Sequence, residues 1–336
     1  MAETETLTLA EIEGLSQAAL EAAGTAPGNA RPLARATAET EALGVASHGM
    51  AYIPIYCEHV QCGKVDGMAE PTVDRPRPGL VRVDAATGFA HPAIDAGFAP
   101  LVEGARAQGI AAMAIHDSYN CGVLGVHTAR IARAGLLALG FTNAPASIAP
   151  SGGQTPVVGT NPLSLAVPDD AGGVEILIDQ SASVIAKSEI MKHAREGRPI
   201  PEGWALDPEG NPTTDAATGL KGSMAPAGGY KGVGIALITE VLAAALTGAT
   251  LGIDASPFSG TNGGPPATGQ AFLAIDPAAS SGGAFAERID TLVSAIRSQP
   301  GARMPGDGRA RNRLRAETDG VAVSIATLDR IEAGLL

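Results

Sequence analysis

Between residues 92 and 275, short apolar runs alternate with helical patterns. This alternation constrains the fold more than any other feature of the chain. Residues 110–115, 136–142, 163–167, 174–178 and 270–275 read as strands. Residues 92–107, 124–134, 233–247 and 284–298 read as helices. The stretch 233–247 (VGIALITEVLAAALT) is apolar nearly all round, which predicts a buried helix. Three further helices precede the alternation. The first, 8–23, opens on a capping-box pattern of Thr8 and Glu11 and places Leu9, Ile12, Leu15 and Leu20 on one face. The second covers 29–43, and the third runs to about Cys62. Residues 66–80, with Pro71, Pro76 and Pro78, read as a linker, and 196–229 as a Gly- and Pro-rich loop. The chain returns to helix near 324–335. The fold class is therefore α/β. Neither G-x-G-x-x-G nor a P-loop occurs, so the pattern does not license a Rossmann fold.

Charge narrows the function classes. Acidic side chains outnumber basic ones 35 to 23, giving a net charge of −12. Such a surface repels phosphate backbones and anionic membranes, so neither nucleic acid nor membrane is expected as a partner. No apolar run reaches 18 residues, and the first residues lack a basic, then apolar, leader pattern. Cys57, Cys62 and Cys121 have no metal-ligand spacing, nor do His59, His91, His116, His127 and His193. A reduced, cytoplasmic protein without a metal is expected.

Several short stretches could carry chemistry. Ser47-His48-Gly49 places an imidazole between a hydroxyl and a glycine just past a helix, which suits a proton donor. It equally suits a cap followed by a satisfied histidine. Residues 117–122 (DSYNCG) lie between a strand and a helix, where backbone N–H groups can hold an anion. An ordinary polar turn has the same look. Residues 159–162 (GTNP) form another such turn. Asp179 ends a strand before a segment with Lys187 and Glu189. Residues 228–232 (GGYKG) put glycines and Lys231 ahead of the apolar helix, a place for a phosphate or for a solvated lysine. Arg303, Arg309, Arg311, Arg313 and Arg315 form a basic island, either a phosphate grip or a solvated face.

Taken in order, these stretches resemble the type-2 malate/L-lactate dehydrogenase family. That family includes sulfolactate dehydrogenases, ureidoglycolate dehydrogenases and the Δ1-piperideine-2-carboxylate/Δ1-pyrroline-2-carboxylate reductases. The likeness runs through SHG at 47–49, GKVDG at 63–67, VRVDAATGFAHPA at 81–93, GTNP at 159–162 and IPEGWALDPEGNPTTD at 200–215. It continues through GGYKG at 228–232, ALTG at 245–248 and PGDGR at 305–309. The resemblance implies a non-Rossmann nicotinamide-nucleotide-binding sheet domain, residues 77–283. It also implies a helical domain built from both chain ends, residues 1–76 and 284–336. A homodimer is implied, with the active site in the cleft between domains. NADPH or NADH is the implied cofactor and a small carboxylic acid the implied substrate.

By position, His48 would be the proton donor, Ser47 part of its relay and Glu189 an acidic relay residue. Tyr52 and Thr160 would touch the substrate. Asn120, Cys121, Gly122, Val123, Leu124, Asp179, Tyr230 and Lys231 would line the cofactor. So would Arg303, Met304, Pro305, Gly306, Asp307, Gly308 and Arg309. Two departures bear on the substrate. Relatives commonly carry Arg where this chain has Tyr52, and many carry His where it has Asn120, which cannot deliver a proton at neutral pH. Loss of the Arg disfavours a doubly anionic substrate, and Glu189 would favour a protonated imine. The reading therefore leans to reduction of a cyclic imino acid. A 2-hydroxy acid dehydrogenase acting on sulfolactate, malate or lactate is the alternative. A catalytically impaired metabolite- or nucleotide-binding protein is the reading from another class.

Overall fold

The computed structural model describes residues 3–335; residues 1, 2 and 336, the outer limits of the expected helical domain, lie outside it. The N-terminal part comprises β1 (Thr4–Leu7), α1 (Leu9–Ala22), α2 (Pro27–Ala42) and α3 (Ile53–Gln61). Short 3-10 turns at Ala46–His48 and Met50–Tyr52 join α2 to α3. The capping box of α1 forms as the sequence signals: the Thr8 hydroxyl accepts from the Glu11 N–H, and the Glu11 carboxylate accepts from the Thr8 N–H. Next come β2 (Thr72–Arg77), β3 (Leu80–Asp84), α4 (Ala90–Gln108), β4 (Ile110–Ser118), α5 (Leu124–Arg133), β5 (Leu137–Thr142), β6 (Leu163–Pro168) and β7 (Val174–Gln180). A small lobe follows, with α6 (Lys187–Arg195), β8 (Ala205–Leu206), β9 (Pro212–Thr213), α7 (Ala216–Lys221) and β10 (Ser223–Met224). The chain then runs through α8 (Tyr230–Glu240), a π-helical turn at Val241–Ala245, β11 (Thr268–Ile275) and α9 (Pro277–Ser281). It ends with α10 (Phe285–Arg297), α11 (Asp307–Asp319), β12 (Val321–Ser324) and α12 (Ile325–Ala333).

Seven strands form one sheet in the order β2-β3-β4-β11-β5-β6-β7. Only β3 and β4 run parallel; every other neighbouring pair is antiparallel. A Rossmann sheet is mostly parallel, so the missing glycine fingerprint and the topology agree. In the centre, Phe272 of β11 stands between Met113 of β4 and Gly140 of β5. Helices α4 and α5 cover this face and share its buried core with Val83, Ile94, Leu101, Ile115 and Ile131. Each such side chain contributes roughly 1.5–3 kcal/mol on burial. The packing is close enough to require glycine. A Cβ at Gly97 would lie 2.3 Å from Met113 Sδ, and one at Gly140 2.6 Å from Thr128 Cγ2.

The chain ends meet. β1 pairs antiparallel with β12, and Leu7, Ile12, Leu20, Tyr56, Val323, Leu328 and Ile331 share one core. Helix α10 instead packs on the sheet, where Val293 and Met304 join Val167 and Ile176.

Three expectations from the sequence are corrected. Residues 66–80 are not only linker, because β2 and the start of β3 lie there. Pro76 is accommodated since β2 is an edge strand, where a missing N–H costs no ladder bond. Residues 196–229 are not only loop. They hold a three-stranded sheet, β10-β8-β9, closed by Ile190, Ile200, Ala205, Ala216 and Met224. The apolar helix at 233–247 is only half buried. Val233, Ala236, Ala243 and Ala244 face inward, whereas Leu237, Ile238, Val241 and Leu246 stand exposed.

Candidate active site

His48 sits on the 3-10 turn after α2, and its neighbours fix the ring. Ser47 Oγ lies 3.0 Å from His48 Nδ1, which leaves Nε2 unused by this contact. Burial holds the imidazole below its ordinary pKa, and the carboxylate of Asp179 works against that shift. Glu189 is not among the groups acting on it. Glu189 stands in the first turn of α6, beside the core of the small lobe. The carboxylate that acts on His48 is thus Asp179, which the sequence assigned to the cofactor.

The tight turn before α3 stacks Tyr52 parallel to His48, with ring centroids 6.1 Å apart and planes 4° from parallel. Tyr52 meets Tyr56 edge-on at 4.8 Å, and Tyr56 meets Tyr119 at 6.0 Å. Burial pushes the Tyr52 phenol up to about 12, so the side chain is neutral throughout the physiological range. Tyr56 and Tyr119 are buried, and burial raises their phenols as well. An aromatic wall without charge therefore flanks the imidazole. Tyr119 entered the sequence reading only as part of the 117–122 stretch, and Tyr56 and the loop residue Phe258 had no role in it, because isolated aromatic residues look like ordinary core.

The 120–124 turn closes another side. Asn120 Oδ1 accepts from the Gly122 N–H at 2.7 Å and from the Tyr56 hydroxyl at 3.4 Å. Gly122 has a φ of 66°, in the left-handed region. The Cys121 carbonyl accepts from His127 Nε2 at 2.8 Å, and burial pushes the Cys121 thiol up to about 12. That thiol is inert at neutral pH. Val123 and Leu124 open α5, whose N-terminus has no side-chain cap.

Beside that free helix end, Arg309 Nη1 lies 2.8 Å from Asp179 Oδ2. Gly125 lets this pair pack directly against the helix start, since a Cβ there would lie 2.8 Å from Asp179 Oδ2 and 3.1 Å from Arg309 Nη1. Uncapped N–H groups and a guanidinium suit a nucleotide phosphate. Helix α11 is held there by Arg313, paired with Glu39 of α2, and by Asn312 Nδ2 donating to the Leu43 carbonyl at 3.1 Å.

The remaining expected residues divide. Gly306, with a φ of 99°, starts α11, and the Pro305 carbonyl accepts from the Leu177 N–H at 3.3 Å. Asp307 Oδ2 accepts from the Met304 N–H, so it stabilises its own turn. The Met304 side chain is buried in the sheet core. Arg303 and Gly308 are exposed, and of the island only Arg309 reaches Asp179. The Thr160 carbonyl accepts from Ala182 N–H at 2.8 Å, two residues beyond the end of β7. Its neighbour Asn161 is structural: it donates to the buried Glu240 carboxylate at 2.7 Å and accepts from Ala144 N–H. Tyr230 and Lys231 are exposed at the start of α8 and make no ion pair among the described residues. Asp84, His116 and Asp117 form a half-buried acidic group elsewhere, with His116 Nδ1 2.9 Å from Asp117. No described helix is long and apolar enough to cross a membrane.

Comparison with known proteins identifies the family. The malate/L-lactate dehydrogenase family model matches residues 7–332. A (2R)-3-sulfolactate dehydrogenase (NADP(+)) of Chromohalobacter salexigens is 42% identical over 328 residues, covering 97% of each chain. A Δ1-pyrroline-2-carboxylate reductase of Ancylobacter novellus is 37% identical over 336 residues, covering 99% of this chain and 98% of the relative. The crystal structure of Δ1-piperideine-2-carboxylate reductase from Pseudomonas syringae pv. tomato superposes with a TM-score of 0.92 at 34% identity, covering 98% of this chain and all of that one. The chain therefore belongs to the malate/L-lactate dehydrogenase family, a family of oxidoreductases.

Proposed function

We propose that this protein is an NADPH- or NADH-dependent reductase acting on a C=N group next to a carboxylate, in a cyclic imino acid of the Δ1-piperideine-2-carboxylate or Δ1-pyrroline-2-carboxylate type. A reduced nicotinamide, when bound, supplies hydride to the substrate carbon. The chain's own residues supply the rest. The α5 N-terminus, Arg309 and the 120–124 turn would hold the nucleotide. His48 would hold the proton on Nε2 and pass it to the substrate nitrogen, with Ser47 orienting the ring through Nδ1. Asp179 would favour the charged imidazole that burial disfavours.

The single observation that carries the imino-acid reading is the neutral aromatic wall beside His48. Tyr52, where relatives commonly carry Arg, adds no cation for a second anionic group, and its ring suits a flat substrate. A doubly anionic acid would meet Asp179 with only Arg309 to offset it. The 42% identity to a sulfolactate dehydrogenase favours the second reading, a 2-hydroxy acid dehydrogenase. Absorbance of NADPH and NADH against a panel of both cyclic imino acids, sulfopyruvate, oxaloacetate and pyruvate separates them. Turnover of the imino acids above the oxo acids is expected. Preferential turnover of sulfopyruvate would replace the first reading with the second.

The exposed face of α8 and the following segment supports a homodimer. Leu237, Ile238, Val241, Leu246, Leu251 and Ile253 are all exposed on one stretch of chain, and gathered apolar side chains of this kind mark interaction surfaces. The expected division into a sheet domain, 77–283, and a helical domain from both ends belongs to the same proposal. The β1–β12 pair supports the helical part, while α10 packs on the sheet. Three free cysteines support a reducing, cytoplasmic setting.

A further inference from the structure

The GKVDG stretch at 63–67 has no part in the chemistry above, yet it holds an unusual side chain. Lys64 is fully buried and forms no ion pair among the described residues. Desolvating an ammonium group costs several kcal/mol unless dipoles replace its water. Here two backbone carbonyls do so. Nζ donates to the carbonyl of Pro257 at 2.7 Å and to that of Gly260 at 2.9 Å. His59, also fully buried, donates from Nε2 to the same Gly260 carbonyl at 3.0 Å, while its Nδ1 accepts from the Tyr119 hydroxyl. The Tyr52 hydroxyl donates to the Phe258 carbonyl at 3.3 Å. The Phe258 ring meets Tyr119 edge-on at 5.3 Å.

All but the His59–Tyr119 bond reach one short segment between the π-helical turn and β11, and four of them come from residues 52–64 of the helical part. The segment's own surface is largely exposed, and only Phe258 turns inward. Its partners Tyr52 and Tyr119 are the wall beside His48. We propose that the 257–260 segment is a strap forming the outer wall of the substrate pocket. In this arrangement Lys64 is a positioning residue that latches the strap, and Phe258 determines which ring size the pocket accepts. The inference rests on the reading that the His48 pocket takes the substrate. Its physical content is that a buried cation with no carboxylate at ion-pair distance among the described residues holds a loop that would otherwise have few reasons to stay in place.

The test uses the full-length protein with two readouts. The first is limited chymotrypsin digestion, following cleavage after Phe258 by mass spectrometry. The second is NADPH-coupled kinetics with Δ1-pyrroline-2-carboxylate and Δ1-piperideine-2-carboxylate. Lys64→Met should be cut after Phe258 roughly tenfold faster than wild type and show a KM for the imino acid raised roughly tenfold, with NADPH affinity unchanged. Lys64→Arg should recover part of both. Should Lys64→Met fail to fold, Phe258→Ala keeps the latch and should change the ratio of kcat/KM for the two ring sizes roughly fivefold. Unchanged cleavage and unchanged KM in Lys64→Met would overturn the latch. Faster cleavage with unchanged KM, or an unchanged ring-size ratio in Phe258→Ala, would overturn the wall. If the wild type oxidises NADPH with neither acid, the substrate reading fails, while the cleavage ratio still decides the latch.

Discussion

The two flanks of the candidate site are built differently. On the His48 flank almost every polar group is spoken for: Ser47 holds the imidazole, Asn120 ties Tyr56 to the Gly122 N–H, and Arg309 pairs with Asp179. On the α8 flank, Tyr230 is 71% exposed and Leu246 68% exposed. The first flank is complete within one chain. The second leaves apolar side chains bare. Order in this molecule therefore follows where side chains from distant parts of the sequence converge, and bare apolar surface marks where convergence within the chain ends.

The largest effect should come from the complete flank. His48→Ala is expected to lose roughly 10²–10⁴-fold in kcat while still binding NADPH, as removal of a general acid does. Stopped-flow or steady-state kinetics, with calorimetry for the nucleotide, checks both halves. The bare flank should break differently. Ile238→Asp with Leu246→Asp would place charges where apolar area is proposed to be buried, and should weaken self-association by roughly 10²-fold or more. Light scattering at micromolar concentration should then give the mass of one chain, against two for wild type. A wild-type monomer would remove the contrast between the flanks altogether.

Beneath the complete flank, acid should act through two buried imidazoles. His91 and His127 stand 5.3 Å apart, both inside the fold, near Arg35, Arg130 and the Asp95 carboxylate. Burial lowers His127 from 6.5 to about 4, and lowers His91 as well. Because the folded pKa is depressed, the unfolded chain takes up protons first. Stability is therefore full above about pH 6.5 and falls as pH drops toward 4, by on the order of 3 kcal/mol for His127 alone. Urea unfolding from pH 7 to 4.5 reads this, and His127→Gln should flatten the slope. The smallest effects concern the nucleotide. Arg309→Ala should weaken NADPH binding roughly tenfold or more, and Lys231→Ala, exposed in one chain, roughly threefold. Equal losses would mean that both flanks grip the nucleotide alike.

The sequence made the local features legible. Central strands and helices follow from apolar periodicity, and Ser47-His48-Gly49 stands out because its chemistry is contiguous. What escaped was non-local. β1 and β12 are four residues each, and their pairing joins positions 4–7 to 321–324. Helix α11 is so rich in Arg that no apolar face announces it. Lys64 and the strap are separated by 193 residues, so a motif with a buried lysine gave no hint of what it holds. Asp179 at the end of β7 and Glu189 in α6 are both plain carboxylates in the sequence, and only the folded chain brings Asp179 to bear on His48.

The most direct test of the account is the pH dependence of kcat for imino-acid reduction in wild type, Asp179→Asn and Glu189→Gln. His48 must be protonated to act, and burial lowers its pKa. The account expects wild-type kcat to decline as pH rises through a value below the ordinary imidazole range. It expects that decline to move to lower pH in Asp179→Asn, where the opposing charge is gone, and to stay in place in Glu189→Gln. A profile that ignores Asp179 and follows Glu189, or one that shows no decline at all, would contradict it.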